Sequence, residues 1–322
     1  MNRARRNRPA LALLLMALSI LTWGPFTGKA LAGNDPVPFA DYTTESWYLP
    51  QSPAVSAGPA ASFFNPAAWS MTDRGALDFW WRDKKIRGDL DNYGLALGRG
   101  LGFAMRQSTY GTTADNFRIY DYMLGISRGT RAGTFGLGYR WAHGETDRMP
   151  RQKALSAGFI SRPSRHLTVG GSGTASLESD AAQAIFDLGL RPLGSPLLTL
   201  FADWTVNHDQ AFFQDGSWGA GVEIRPLRGL HLGAKWRDAP LTDTTEWQIN
   251  AGITLGLSHM TGGARHDQDG EHLDNHFMLR LNPPFPGLKD DTLPLFSRKT
   301  YYYPIDLENK VVTYQKYQLF DD

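Results

Sequence analysis

Between residues 76 and 282 the sequence alternates, residue by residue, between apolar or aromatic side chains and Gly, Ser, Thr or charged ones. Phe135, Leu137, Tyr139 and Trp141 interleave with Thr134, Gly136, Gly138 and Arg140; Trp247, Ile249, Ala251, Ile253 and Leu255 interleave with Gln248, Asn250, Gly252, Thr254 and Gly256. A period of two gives a strand with two unlike faces, and no helical period competes with it here. About fourteen such stretches follow one another, near 76–82, 92–98, 101–107, 118–127, 133–142, 153–161, 166–176, 183–191, 197–206, 217–225, 230–237, 246–256, 258–265 and 275–282. Their length suits tilted membrane strands. Their connections fall into short basic turns (99–100, 128–132, 162–165, 192–196, 226–229, 257–258) and longer polar loops (83–91, 108–117, 143–152, 177–182, 207–216, 238–245, 266–274), alternating strictly along the chain. An up-and-down barrel has this arrangement, and a sandwich has no need of it. The expected fold is all-β: an antiparallel transmembrane β-barrel of about fourteen strands with an N-terminal periplasmic plug.

Composition narrows the alternatives. The 322 residues carry 33 Lys or Arg against 32 Asp or Glu, a formal charge of +1, so no nucleic-acid surface is implied. Zero Cys excludes disulfides, thiolate metal sites and Cys nucleophiles. With 34 Gly, 12% aromatics and a mean hydropathy of −0.35, the chain is neither a helical membrane protein nor disordered. Trp141, Trp204, Trp218, Trp236 and Trp247 stand at strand ends, where indoles bridge acyl chains and headgroups.

Four regions follow. Residues 1–32 read as a signal peptide: Arg3, Arg5, Arg6 and Arg8 precede an apolar core, and Ala30-Leu31-Ala32 offers a cleavage site, so export to the outer membrane of a Gram-negative-type bacterium is expected. Residues 33–75, rich in Pro and without strand periodicity, form a plug or hatch segment. Residues 76–282 are the barrel. Residues 283–322 begin with Pro283-Pro284-Phe285-Pro286-Gly287 and form a periplasmic tail or linker.

Just upstream of the first strand stands Ser62-Phe63-Phe64-Asn65-Pro66-Ala67-Ala68-Trp69. Its Asn-Pro-Ala segment resembles that of the outer-membrane long-chain fatty acid transporter superfamily and related secretion-associated barrels. The resemblance implies fourteen strands around an N-terminal hatch, a conduit for hydrophobic molecules, and hatch roles for Asn65, Pro66 and Ala67. The tail Asp306-Leu307-Glu308-Asn309-Lys310-Val311-Val312-Thr313-Tyr314 resembles the junction where similar barrels continue into a periplasmic serine protease of the signal-peptide peptidase A type. No residue of such a domain is recognised in the chain, so no catalytic residue is carried over.

The chemistry expected of the remaining residues is modest. By strand parity Asp78, Arg106, Asp121, Arg140, Asp187, Asp203, Glu223, Lys235 and Arg280 face inward; with both signs present they read as a salt-bridged lumen lining more than a selectivity filter. The run His266-Asp267-Gln268-Asp269-Gly270-Glu271-His272, with His276 nearby, fits neither an EF-hand loop nor an HExxH helix and reads as a solvated loop, so no metal is assigned. Gly98-Arg99-Gly100-Leu101-Gly102 is followed by strand alternation where a phosphate loop needs a helix, and no cofactor is expected. The glycines read as room for a narrow lumen. Two functions stay open: a non-enzymatic conduit for a hydrophobic small molecule in contact with outer-membrane lipid, or a barrel that anchors a periplasmic partner, such as a serine protease or secretion component, through residues 283–322.

Overall fold

A computed structural model describes residues 37–281 apart from 57, 72–74, 84–91, 113–114, 131–132, 209, 212–214, 228, 240–243 and 256–257. The expected signal peptide (1–32) and tail (283–322) lie outside the described residues. Fourteen strands form one closed antiparallel barrel, each paired with its sequence neighbours and β1 closing on β14. They are β1 Ala76–Asp83, β2 Asn92–Arg99, β3 Leu101–Thr112, β4 Asp115–Thr130, β5 Gly133–Gly144, β6 Ala154–Ser161, β7 Leu167–Ser176, β8 Ala182–Leu190, β9 Leu198–Asn207, β10 Ser217–Leu227, β11 Leu230–Ala239, β12 Thr244–Leu255, β13 Ser258–Asp267 and β14 His272–Leu281. Closure runs from Leu77 opposite Leu281 to Asp83 opposite Asn275, so neither edge strand is left unpaired.

The burial pattern is inverted relative to a soluble sheet. On β5, Phe135, Leu137 and Tyr139 are exposed, while Thr134 and Arg140 are buried. The same holds around the ring: Leu101, Leu124, Ile126, Leu155, Leu188 and Ile249 stand outside, and Asp78, Asp121, Asp187, Asp203, Lys235 and Gln248 are buried. An apolar outer surface of this extent has no place in water, and it is the outer surface of a barrel that crosses a lipid bilayer. Outside, ring pairs lie toward one end: Trp81 stacked on Phe277 at 4.8 Å, Tyr122 on Trp141 at 5.4 Å and Trp247 on His266 at 4.3 Å, with Trp218 edge-on to Trp236 at 4.3 Å. That is the end opposite β1's start, here called the loop end; the other is the turn end.

The expected strict alternation of loop lengths needs correction. Residues 108–117, read as a long loop, are mostly strand: β3 continues to Thr112 and β4 starts at Asp115, with pairing kept as far as Thr112 opposite Asp115. Tyr110 and Phe117, stacked at 5.6 Å, and the Asp115 to Arg148 ion pair at 2.7 Å hold this hairpin beyond the other strands. Conversely, seven residues at the turn end separate Leu190 from Leu198. Side, more than length, is what alternates.

The inversion generates a test. Leu124→Arg, on the outer face of β4, is expected to cost about 2–4 kcal/mol of folding free energy in bilayers, as a charge near the hydrocarbon midplane does. Urea titration of folding into lipid vesicles measures it. A cost below about 0.5 kcal/mol, the ordinary range for a soluble surface, contradicts the membrane assignment.

Candidate functional site in the lumen

The N-terminal segment lies against the inner wall. It contains three short helices, α1 Tyr42–Glu45, α2 Pro53–Ser56 and α3 Pro59–Ser62, and a 3-10 turn, Pro66–Ser70. Proline sets these boundaries: at the first position of α2, α3 and the 3-10 turn it starts a helical turn where no N–H is needed. Asp41 caps α1, its carboxylate accepting from the Thr44 N–H at 3.1 Å. Tyr42, Leu49, Ala54, Phe63, Phe64, Ala67, Ala68 and Trp69 have no exposed surface, and all of them belong to a single apolar cluster with wall residues such as Trp80, Ala96, Ala104, Met123 and Met278. The Tyr48 ring stacks on Trp80 at 4.4 Å, and its hydroxyl donates to the Ala60 carbonyl at 3.1 Å. Burial pushes that phenol's pKa well above its ordinary value.

Asn65, Pro66 and Ala67 sit deep in this contact. Preceding a proline, Asn65 is extended. Its side-chain oxygen accepts from the Ala67 N–H at 3.1 Å, and its amide donates to the carbonyls of Phe159 at 3.2 Å and Gly171 at 3.4 Å, on β6 and β7. Thr134 on β5 donates to the Ala67 carbonyl at 3.2 Å. The wall permits this approach because it is glycine there. A Cβ on Gly102 would lie 2.3 Å from the Trp69 ring, and one on Gly136 would lie 2.4 Å from the Pro66 carbonyl. The narrow-lumen reading of these glycines thus gains a specific content: they form a groove for Ala54, Val55, Asn65, Pro66 and Trp69.

The inward charges hold the segment from several sides. Arg106 pairs with Asp121 at 2.8 Å and with Glu45 of α1; Arg151 also reaches Glu45 at 2.7 Å and Asp121 at 3.3 Å. Arg140 donates to the Phe63 carbonyl and lies over the Phe63 ring at 5.4 Å. Asp78 accepts from Arg280 at 2.7 Å and from the Ala60 N–H at 2.9 Å. Glu223 accepts from Gln51 at 2.6 Å and Arg225 at 2.9 Å. Arg237 bridges Asp203 at 3.3 Å to the carbonyls of Tyr42 and Thr43. Asp187 and Lys235 are buried on β8 and β11, with the Lys235 Nζ 5.7 Å from the Tyr42 ring centre. Apart from Asp187 and Lys235, whose charged atoms have no hydrogen-bond partner among the described residues, these charges find partners in the wall on one side or the segment on the other.

Above this contact, toward the loop end, is a cavity of ≈ 460 Å³ whose lining includes Trp47, Tyr48, Trp80 and Tyr110 together with Arg82 and Arg265. Glu45, Arg151, Arg237 and Arg265 were not singled out from the sequence. Glu45 and Arg151 belong to no strand, so parity is silent on them; Arg237 shares a face with Lys235, so the same parity would have found it. The acidic and histidine run is divided by the fold. His266 stacks on Trp247 at the loop end, its Nδ1 3.3 Å from the Gly270 carbonyl, whereas His276 is buried on the inner face of β14.

These contacts predict separable effects for two substitutions. Gly136→Ala drives a methyl into the Pro66 backbone, and Asn65→Ala removes contacts with two wall carbonyls at about 1–3 kcal/mol. Both should raise amide hydrogen exchange across residues 60–70 while the barrel keeps its heat-modifiable gel mobility. Unchanged exchange in both variants contradicts the contacts described.

No protein-family model matches the sequence, and no curated protein matches it. Among solved structures the fold is similar to the toluene transporter TbuX of Ralstonia pickettii, at 12% identity over 73% of this chain and 99% of that one, TM-score 0.50. It is also similar to a triple mutant of the Rhodopseudomonas blastica porin, at 7% identity over 65% and 98%, TM-score 0.39. The resemblance to the transporter-like barrel superfamily therefore holds at the level of the fold: the chain is a fourteen-stranded barrel built like those of outer-membrane proteins.

Proposed function

We propose that this protein is an outer-membrane conduit for a small, largely hydrophobic molecule, with residues 37–71 acting as the plug. In this reading residues 1–32 are removed on export and the turn end faces the periplasm. The observation that carries it is the ≈ 460 Å³ cavity between the segment and the wall, within the range of small-molecule sites and with Trp47, Tyr48, Trp80 and Tyr110 in its lining. Rings supply apolar area at low entropic cost, while Arg106 and Arg151 in the lining are already committed to Glu45 and Asp121. Likeness in fold to a barrel described as a toluene transporter supports the same class of solute. The second reading, a membrane anchor for a periplasmic partner bound through residues 283–322, draws support from how densely the segment fills the lumen.

Toluene titrated into the protein in nanodiscs tests the first reading through tryptophan fluorescence. Saturable quenching is expected, weakened about tenfold in Trp80→Ala, equivalent to about 1.4 kcal/mol. Quenching that only follows toluene partition into lipid contradicts the conduit. Retention of a periplasmic protein that is lost on deleting residues 283–322 then favours the anchor.

A further inference from the structure

Charge is divided unequally between the two ends of the barrel. The stretches that join strands at the turn end, 98–102, 127–134, 161–168, 190–198, 224–231 and 254–259, hold eight Arg and no Asp or Glu, in a chain whose formal charge is +1. Two of them repeat Arg-Pro-Leu, at Arg191-Pro192-Leu193 and Arg225-Pro226-Leu227. Leu193, Leu197 and Leu227 are each more than half exposed. Leu190 and Leu200, on the outer faces of β8 and β9, carry the lipid-facing band to the same edge. Guanidinium and exposed leucine side by side suit the depth at which acyl chains give way to phosphates.

Three of these turns are tied to one another by backbone. The Arg191 N–H donates to the His166 carbonyl at 2.7 Å, and the Arg225 N–H to the Leu197 carbonyl at 2.9 Å. Between the first two turns the side chain of Arg165 is fixed. Its Nε–H can only donate, and at 3.2 Å it does so to Nε2 of His166. The proton of that imidazole is then on Nδ1, which donates to the Arg191 carbonyl at 3.0 Å. The same carbonyl accepts from the Gly194 N–H at 2.9 Å. Gly194 has a φ of 63°, the left-handed conformation that glycine adopts without strain. A Cβ there would lie 2.8 Å from Arg165 Nε and from His166 Cε1, so Arg165 is laid across the second turn where only glycine leaves room.

Arg165 is exposed, and its two terminal nitrogens have no partner among the described residues. Arg225, by contrast, turns to Glu223 at 2.9 Å and is committed there. A guanidinium held by its Nε with its fork left open matches a phosphate, which accepts two parallel N–H bonds from such a fork. Arg162 and Arg191 add positive charge at the same edge, and neither turn contains a carboxylate side chain.

We propose that the surface shared by the turns 162–166 and 191–197 binds the phosphate of an anionic glycerophospholipid in the leaflet at the turn end. Arg165 supplies the fork, His166 positions it, and Leu193 and Leu197 meet the first methylenes of the acyl chains. The site is independent of what the lumen carries and holds for either reading of the function.

Native mass spectrometry of the full chain in nonionic detergent tests this, with phosphatidylglycerol and phosphatidylcholine offered in equal amounts. Phosphatidylglycerol should stay bound several-fold more often than phosphatidylcholine. In Arg165→Gln that retention should fall about fivefold, as expected for one guanidinium lost at an anionic lipid surface, while heat-modifiable mobility shows a folded barrel. Arg148→Gln, which removes a cation paired with Asp115 at the loop end, should leave retention unchanged. Excess inorganic phosphate should not displace the lipid. Equal retention of the two lipids by the wild type overturns the proposal, as does a folded Arg165→Gln barrel that keeps the lipid like the wild type. So does an equal loss in Arg148→Gln, which points to net charge alone, or displacement by phosphate, which points to a site for the free anion.

Discussion

The pairing of β1 with β14 is the interaction on which the rest of this molecule depends. In hydrocarbon a backbone N–H or C=O has no water to turn to, so a sheet survives there only if its two edges find each other. Seven residues of β1 face seven of β14, from Leu77 and Leu281 to Asp83 and Asn275. Once that seam is closed, the pleat sends alternate side chains to two incompatible solvents. Leucines go mainly out to lipid, while Asp, Arg, Lys, Gln and glycine, with a few apolar residues such as Ile119, Ile160 and Ile185, go in.

Closure creates a second problem that the N-terminal segment answers. Barrels of about eight strands fill with their own side chains, whereas those of sixteen or more enclose water. With fourteen strands and glycine on much of the inner face, this barrel has space its own wall does not fill. Trp69, Pro66, Asn65, Ala54 and Val55 occupy the glycine-lined side. The inward charges become affordable for the same reason: Arg106 has Glu45 as well as Asp121, Arg140 has the Phe63 carbonyl, and Asp78 has the Ala60 N–H. Taking away one partner of such a buried pair leaves the other uncompensated, which is why segment and wall stabilise each other.

All fourteen strands were legible in the sequence because alternation is a property of each strand alone. The 3-10 turn after Asn65 was legible for a similar reason, since proline restricts both itself and its predecessor. Contacts between distant parts of the chain leave no local trace. That Gly136 makes room for Pro66, or that Arg151 from a loop reaches Glu45 in the segment, follows only from the closed geometry. Residues 108–117 misled because Ser, Thr, Gly and Asn resemble a loop in composition. Cross-strand partners such as Tyr110 and Phe117 keep them paired as strand. Gln248 and His276 face inward by the same parity, but as neutral side chains they carry no mark in a pattern of formal charges.

The seating of the N-terminal segment in the glycine groove is the central claim, and the chain's lack of cysteine makes it directly measurable. The Val55 Cβ lies 3.8 Å from the position of a Cβ on Gly189, close to the separation of disulfide-bonded residues. Val55→Cys with Gly189→Cys, oxidised in the membrane-inserted protein, should form one intramolecular disulfide and lose thiol labelling until reduced. A folded barrel in which both thiols stay open to labelling after oxidation contradicts the account.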